Sequence, residues 1–339
     1  MQAALQEMVA LKLVPDRHEE AKALFERYDL PGYPTLLFLD TQGVELDRIG
    51  DFQPPARLLE SIARIRSGDT FSACLQRLDA DPGNQAEMER AVAGFFTRYD
   101  PVSALERMDA FRAARPEGEP DPTLSLRFRA LGMQHGFLYR RAARMFRNGW
   151  EELPDLSGSK ATPALVAYVD ADPTSWAREE QAQRLRQARH EDAGALLALL
   201  PAEGLGVRDR YDAARFAAEN GHYQKAADLF RRWWTEVGAE ADSGELNGAA
   251  WDLFLCRTAM ELGVEMARAA YAKSKDPGVT DTLGQLLYVT GATNEAIEIE
   301  RLAASNAESS AAEHYDEVVE RMLAGQEMEE RADFETYPD

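Results

Sequence analysis

Residues 213–230, AARFAAENGHYQKAADLF, decide the fold. Ala214 stands seven positions before Gly221, and Tyr223, Ala226 and Phe230 follow at helical spacing. The small residues let two antiparallel helices approach, and the aromatics fill the space toward a following pair. Working outward, Gly284 and Gly291 repeat the seven-residue spacing, and Ala296 and Ala303 come after them. There Thr293 and Glu300 replace the aromatics. Between these copies Leu246, Asn247, Ala249, Ala250 and Trp251, then Ala267 and Tyr271, form an irregular third copy. The marker alanines at 226, 267 and 296 lie 41 and 29 positions apart, which predicts unequal loops.

Looser echoes lie upstream at Tyr99, Ala104 and Met108, and at Gly136, Leu138, Ala142 and Phe146. Breakers at 81–84, 115–122, 170–173 and 201–204 separate the helical runs. The expectation is one helical-hairpin array over residues 70–324. Residues 325–339 are acidic, have little apolar periodicity and are expected to be a disordered tail.

Residues 1–66 follow a different pattern. Met8 to Leu13 suits a buried strand. Asp16 and Glu19 form a capping-box pattern for a helix whose apolar face is Ala21, Leu24, Phe25 and Tyr28. Thr35–Leu39 is a short apolar strand, Asp40–Gly43 a turn, and Val44 and Leu46 alternate with Glu45 and Asp47. The alternation falters at Arg48–Ile49, where a bulge is expected. Pro54 and Pro55 suit the first turn of a helix with a stripe of Leu58, Leu59, Ile62 and Ile65.

The run from Tyr28 to Asp40, with Gly32-Tyr33-Pro34-Thr35 before the apolar strand and Gly43 and Gly50 after it, resembles the C-terminal half of a thioredoxin domain. The stretches at 211–230, 246–251 and 276–304 resemble the tetratricopeptide-like helical region of bacterial thioredoxin-family proteins. The resemblance implies an α+β multidomain chain that is mostly α. Residues 1–66 would be a partial thioredoxin-like α/β unit, residues 70–324 a tetratricopeptide-like array. In that family the proline is cis, and the residue before it offers its backbone to a peptide like an added strand. Those roles fall on Tyr33 and Pro34. The family's CxxC, which opens a helix so that the dipole lowers the attacking thiol's pKa, has no counterpart in residues 1–66. The mid-fold start predicts that the missing strand and helix lie upstream of Met1.

Composition narrows the function. With 59 acidic and 38 basic residues the net charge is −21, which disfavours nucleic acid and anionic membrane surfaces as partners. Nothing at the amino terminus resembles an export signal. A cytoplasmic location is therefore the default, and the resemblance implies the bacterial envelope. Cys74 and Cys256, the only cysteines, fall among apolar neighbours on helical runs and are expected in the core. His18, His135, His190, His222 and His314 make no metal-ligand spacing, so no metal and no cofactor are expected. Trp233 and Trp234 point about 100° apart on a helix. Both can pack between helices, or one can lie at the edge of a partner-binding groove. The function expected is a protein-interaction module without redox chemistry of its own. The alternative is a thiol-disulfide oxidoreductase whose CxxC precedes Met1.

Overall fold

A computed structural model of the protein describes residues 23–25, 27, 28, 30, 35–50, 54–116, 121–147, 163–171, 175–200, 205–307 and 309–328. The strand expected at Met8–Leu13, the start of the following helix, and Tyr33 and Pro34 lie outside these residues. The chain forms two compact units, residues 1–134 and 135–339.

In the first unit, β1 (Thr35–Leu39) and β2 (Glu45–Gly50) form an antiparallel hairpin. Its turn closes as the sequence predicts. The Asp40 carboxylate accepts the amides of Gln42 and Val44, each at 2.8 Å, and Gly43 takes a φ of +77°. The Tyr28 hydroxyl donates to the Gly43 carbonyl at 2.7 Å. The bulge is not at Arg48–Ile49. Phe38 faces Asp47 and Leu39 faces Glu45, so Leu46 is the extra residue. That shift buries Asp47 and Arg48, side chains that a regular alternation would leave to solvent on one face.

The helices after the hairpin begin where the capping residues stand. Pro55 opens α1 (Pro55–Arg66), which buries Ile62 and Ile65. Thr70, Asn84 and Asp100 cap α2 (Phe71–Ala80), α3 (Gln85–Thr97) and α4 (Pro101–Ala113), each side chain accepting an amide three residues on. Cys74, Met88, Val92, Phe95, Met108 and Phe111 form their shared core. Ser67–Asp69, expected as a joint between domains, links α1 to α2 inside this unit.

α5 (Leu124–Arg147) contributes residues to both units. In the second unit, its Leu138, Tyr139 and Ala142 pack with Leu165 and Tyr168 of α6 (Pro163–Asp170) and Leu185 of α7 (Arg178–Leu197). Three helical hairpins follow. The first pairs α8 (Val207–Glu219) with α9 (Tyr223–Val237), and the second α10 (Ser243–Leu255) with α11 (Met260–Lys273). The third pairs α12 (Pro277–Val289) with α13 (Thr293–Asn306), and α14 (Ser309–Leu323) packs on α13. The first helix of each hairpin has 13 residues. Their starts at 207, 243 and 277 are 36 and 34 positions apart, far more regular than the marker alanines. In this frame the partner of Ala226 and Ala296 is the buried Gly263, the fourth residue of α11, while Ala267 is its eighth. Gly221 and Gly291 turn the outer hairpins with positive φ, and Arg257 does so in the middle one.

Gly325–Met328, expected in the tail, are packed. Met328 is buried, and its carbonyl accepts Arg257 Nη2 at 2.9 Å. Residues 329–339 lie outside the described residues. Every strand residue among the described residues lies within 35–50.

Phe230 is fully buried between α8 and α9. Phe230→Ala should destabilise the second unit by about 3–5 kcal/mol, measured as a fall in the urea midpoint. A change of less than about 1 kcal/mol would mean that this joint is not close-packed.

Candidate functional site

Trp233 and Trp234 have different environments. Trp233 is 1% exposed, and its ring packs on Tyr211 of α8 at 5.0 Å. Tyr211 in turn meets Phe230 at 6.0 Å and donates to the Glu245 carbonyl at 3.3 Å. Trp234, one residue further around the helix, is half-buried. Arg231, Arg232, Thr235 and Glu236 of α9, with Arg210 of α8, line an open pocket of about 460 Å³.

Arg210 is tied across the hairpin, and Arg231 pairs within its own helix. Arg210 ion-pairs with Glu236, and its Nη2 donates to the Leu205 carbonyl at 2.8 Å. Arg231 reaches Asp228 at 3.1 Å, and the Thr235 hydroxyl donates to the Arg231 carbonyl at 2.8 Å. Three guanidinium groups and one carboxylate around an open cavity suit an incoming carboxylate or phosphate, which a guanidinium can bind through two parallel N–H bonds. Trp234, half-buried, lies next in sequence to the pocket's Thr235 on the same helix.

In the first unit, the hairpin next to Tyr33 and Pro34 carries a closed charge network. Glu45 accepts from Arg48 and from Arg98, each at 2.7 Å. Burial alone would raise the Glu45 carboxyl, but these guanidiniums outweigh it and hold it below its ordinary range. Arg64 lies 2.9 Å from Asp47, and Arg98 stacks 3.8 Å over Phe71. This network ties β2 to α1, α2 and α3.

Both cysteines are buried, and His135, His190 and His222 are engaged, while His18 lies outside the described residues. Burial pushes the Cys74 thiol up to about 11, and its Sγ lies 3.5 Å from the Glu87 carbonyl. Cys256 is also buried, and both are free thiols. His135 packs between Tyr139 and Phe216, with Nε2 3.2 Å from the Arg189 carbonyl, and burial lowers it to about 4. The rings of His190 and His222 stack at 3.9 Å, tied by the Asn220 and His190 carbonyls respectively. Among the described residues no group of three or more His, Cys, Asp or Glu side chains is placed to hold a metal ion. None of their helices is long and apolar enough to cross a membrane.

No protein-family model matches the chain, and no curated protein matches its sequence.

The arginine pocket was not singled out from sequence because Arg210 and Arg231 come together only when α8 folds onto α9. Arg231-Arg232 beside two tryptophans was its one local signal.

His135 is neutral in the fold and would titrate near 6.5 when unfolded. Its contribution is therefore fully present above pH 6.5 and is lost as the pH falls through about 4. The second unit should lose about 3 kcal/mol over that window from this residue. The stability difference between wild type and His135→Gln in urea titrations should change by about 3 kcal/mol between pH 7 and pH 4. A constant difference would assign the acid sensitivity elsewhere.

Proposed function

We propose that the protein is an interaction module whose second unit, a tetratricopeptide-like array, binds an acidic segment of a partner protein. The observation that carries this reading is the pocket lined by Arg210, Arg231 and Arg232, with Trp234 adjoining in sequence, on a chain of net charge −21. A carboxylate-bearing peptide has the chemistry that such a pocket recognises, and the half-buried indole offers its backbone or side chains an apolar contact. The regular spacing of the three hairpins supports the array reading, since stacked helix pairs present an extended face.

For the first unit we favour a thioredoxin-like hairpin in which Tyr33 and Pro34 border a second peptide-binding edge. What supports it is the order of β1, a D-x-x-G turn, β2 and α1. In this reading the first unit contributes a peptide-binding edge.

Fluorescence anisotropy with a labelled Glu/Asp-rich peptide and the full chain tests the proposal. The double variant Arg231→Ala/Arg232→Ala should weaken binding by about tenfold or more, the scale of one lost charge-assisted hydrogen bond. Its helical circular dichroism should be unchanged. Trp234→Ala should weaken binding less. Binding that is equal in wild type and double variant, or absent in wild type, would overturn the reading.

A further inference from the structure

The three hairpins share a frame in which the fifth residue of the first helix and the eighth of the second hold equivalent places. These are Tyr211 and Phe230, then Asn247 and Ala267, then Asp281 and Glu300. In the first hairpin the pair is aromatic, with ring centroids 6.0 Å apart. In the third, two carboxyl groups take the same places. Glu300 is 0% exposed and Asp281 8%.

The joint is shaped around the Glu300 carboxyl. A Cβ added to Gly284 would overlap Glu300 Oε2. Glycine therefore replaces the Ala214 and Ala250 of the other hairpins and makes the room. As a carboxylate, Glu300 has no hydrogen-bond partner for either oxygen. Asp281 Oδ1 accepts Gln285 Nε2 at 2.8 Å. From α14, Tyr315 faces the pair, and its phenol is raised by burial and then by Asp281, Asp276 and Glu300. From α11, Arg268 is engaged by Glu295 at 2.8 Å in an exposed pair. No cation among the described residues acts on Glu300, which burial first and Asp281 second push up to about 10.

Two carboxylates cannot share such a place, whereas one carboxylic acid and one carboxylate can, by a single O–H donated from one to the other. We propose that Asp281 and Glu300 are a proton-operated latch: the proton they share closes α13 onto α12 and seats α14, and its loss opens this end of the array. The closed state holds one proton more than the open state, in which Glu300 titrates near its ordinary 4.5. The stabilisation is full below that value and is lost as the pH rises toward about 10. Across neutral pH the ratio of closed to open should fall about tenfold per pH unit.

Hydrogen exchange of the full chain between pH 6 and 9, corrected for the intrinsic base-catalysed rate, reads this directly. Peptides from 277–323 should show an opening constant that rises about tenfold per pH unit, while peptides from 207–237, with Tyr211 and Phe230 in the same places, should not. Glu300→Gln, which keeps a donor without the charge, should abolish the rise and exceed wild type in protection at pH 8. A flat wild-type profile over 277–323, or a slope retained in Glu300→Gln, would overturn the latch. If that variant does not fold, the wild-type slope decides alone.

Discussion

Paired helices in the second unit approach closely because both carry small residues at fixed places. The eighth position of the first helix is Ala214, Ala250 or Gly284, and the fourth of the second is Ala226, Gly263 or Ala296, all buried. At the third hairpin the contact is direct: a Cβ on Gly284 would lie 3.5 Å from the Ala296 carbonyl. Gly263 lies against Leu286, so the second hairpin meets the third across equally little space. Once the backbones are this near, what stands one turn away must fill whatever volume is left.

The three hairpins fill that volume with different chemistry. Phe230, Tyr211 and Trp233 make a continuous aromatic layer, and dispersion and buried area hold it. At Ala267 the second helix offers only a methyl group, and Asn247 across from it keeps a buried oxygen without a hydrogen-bond partner. Glu300 fills its place with a group that is stable there only when uncharged. The same backbone frame therefore runs from a joint indifferent to pH to one governed by it. Because α14 packs on α13, a change at Glu300 acts at the end of the array and leaves the aromatic layer in place.

Much of this was legible in the residues because local chemistry and final structure agree. Asp40 and Gly43 specify the hairpin turn, Pro55 the start of α1, and Gly221 and Gly291 two of the three helix turns. The turn and the crossing point of the middle hairpin were hidden for a physical reason. Arg257 and Ala259 take positive φ where a glycine would have marked the turn, and Gly263 stands where an alanine would have marked the crossing. Ala267, the alanine that is visible, belongs to another layer. The bulge lies at Leu46 rather than Arg48–Ile49, because the regular alternation over 44–47 hides the extra residue. In the fold, Asp47 and Arg48 are buried within an ion-pair network whose Arg64 and Arg98 come from distant helices. Glu300 showed in the sequence only as a missing aromatic. Its meaning depends on Asp281 and Gly284, which close around it only in three dimensions.

The arginine pocket poses an electrostatic question of its own, because a chain of −21 repels the anion that the pocket would hold. The two effects act over different distances. At physiological ionic strength the screening length is about 8 Å, so the distant acidic surface is largely invisible to a group already inside the pocket. Guanidinium contacts at hydrogen-bond distance are screened far less. The long-range field thus slows the approach of any acidic partner without abolishing the contact energy. Selection then rests on fit: a partner must present its carboxylates to Arg210, Arg231 and Arg232 and an apolar surface to Trp234 at once. Salt should accordingly speed association while weakening the contact, the reverse of the steering seen when opposite charges attract from afar.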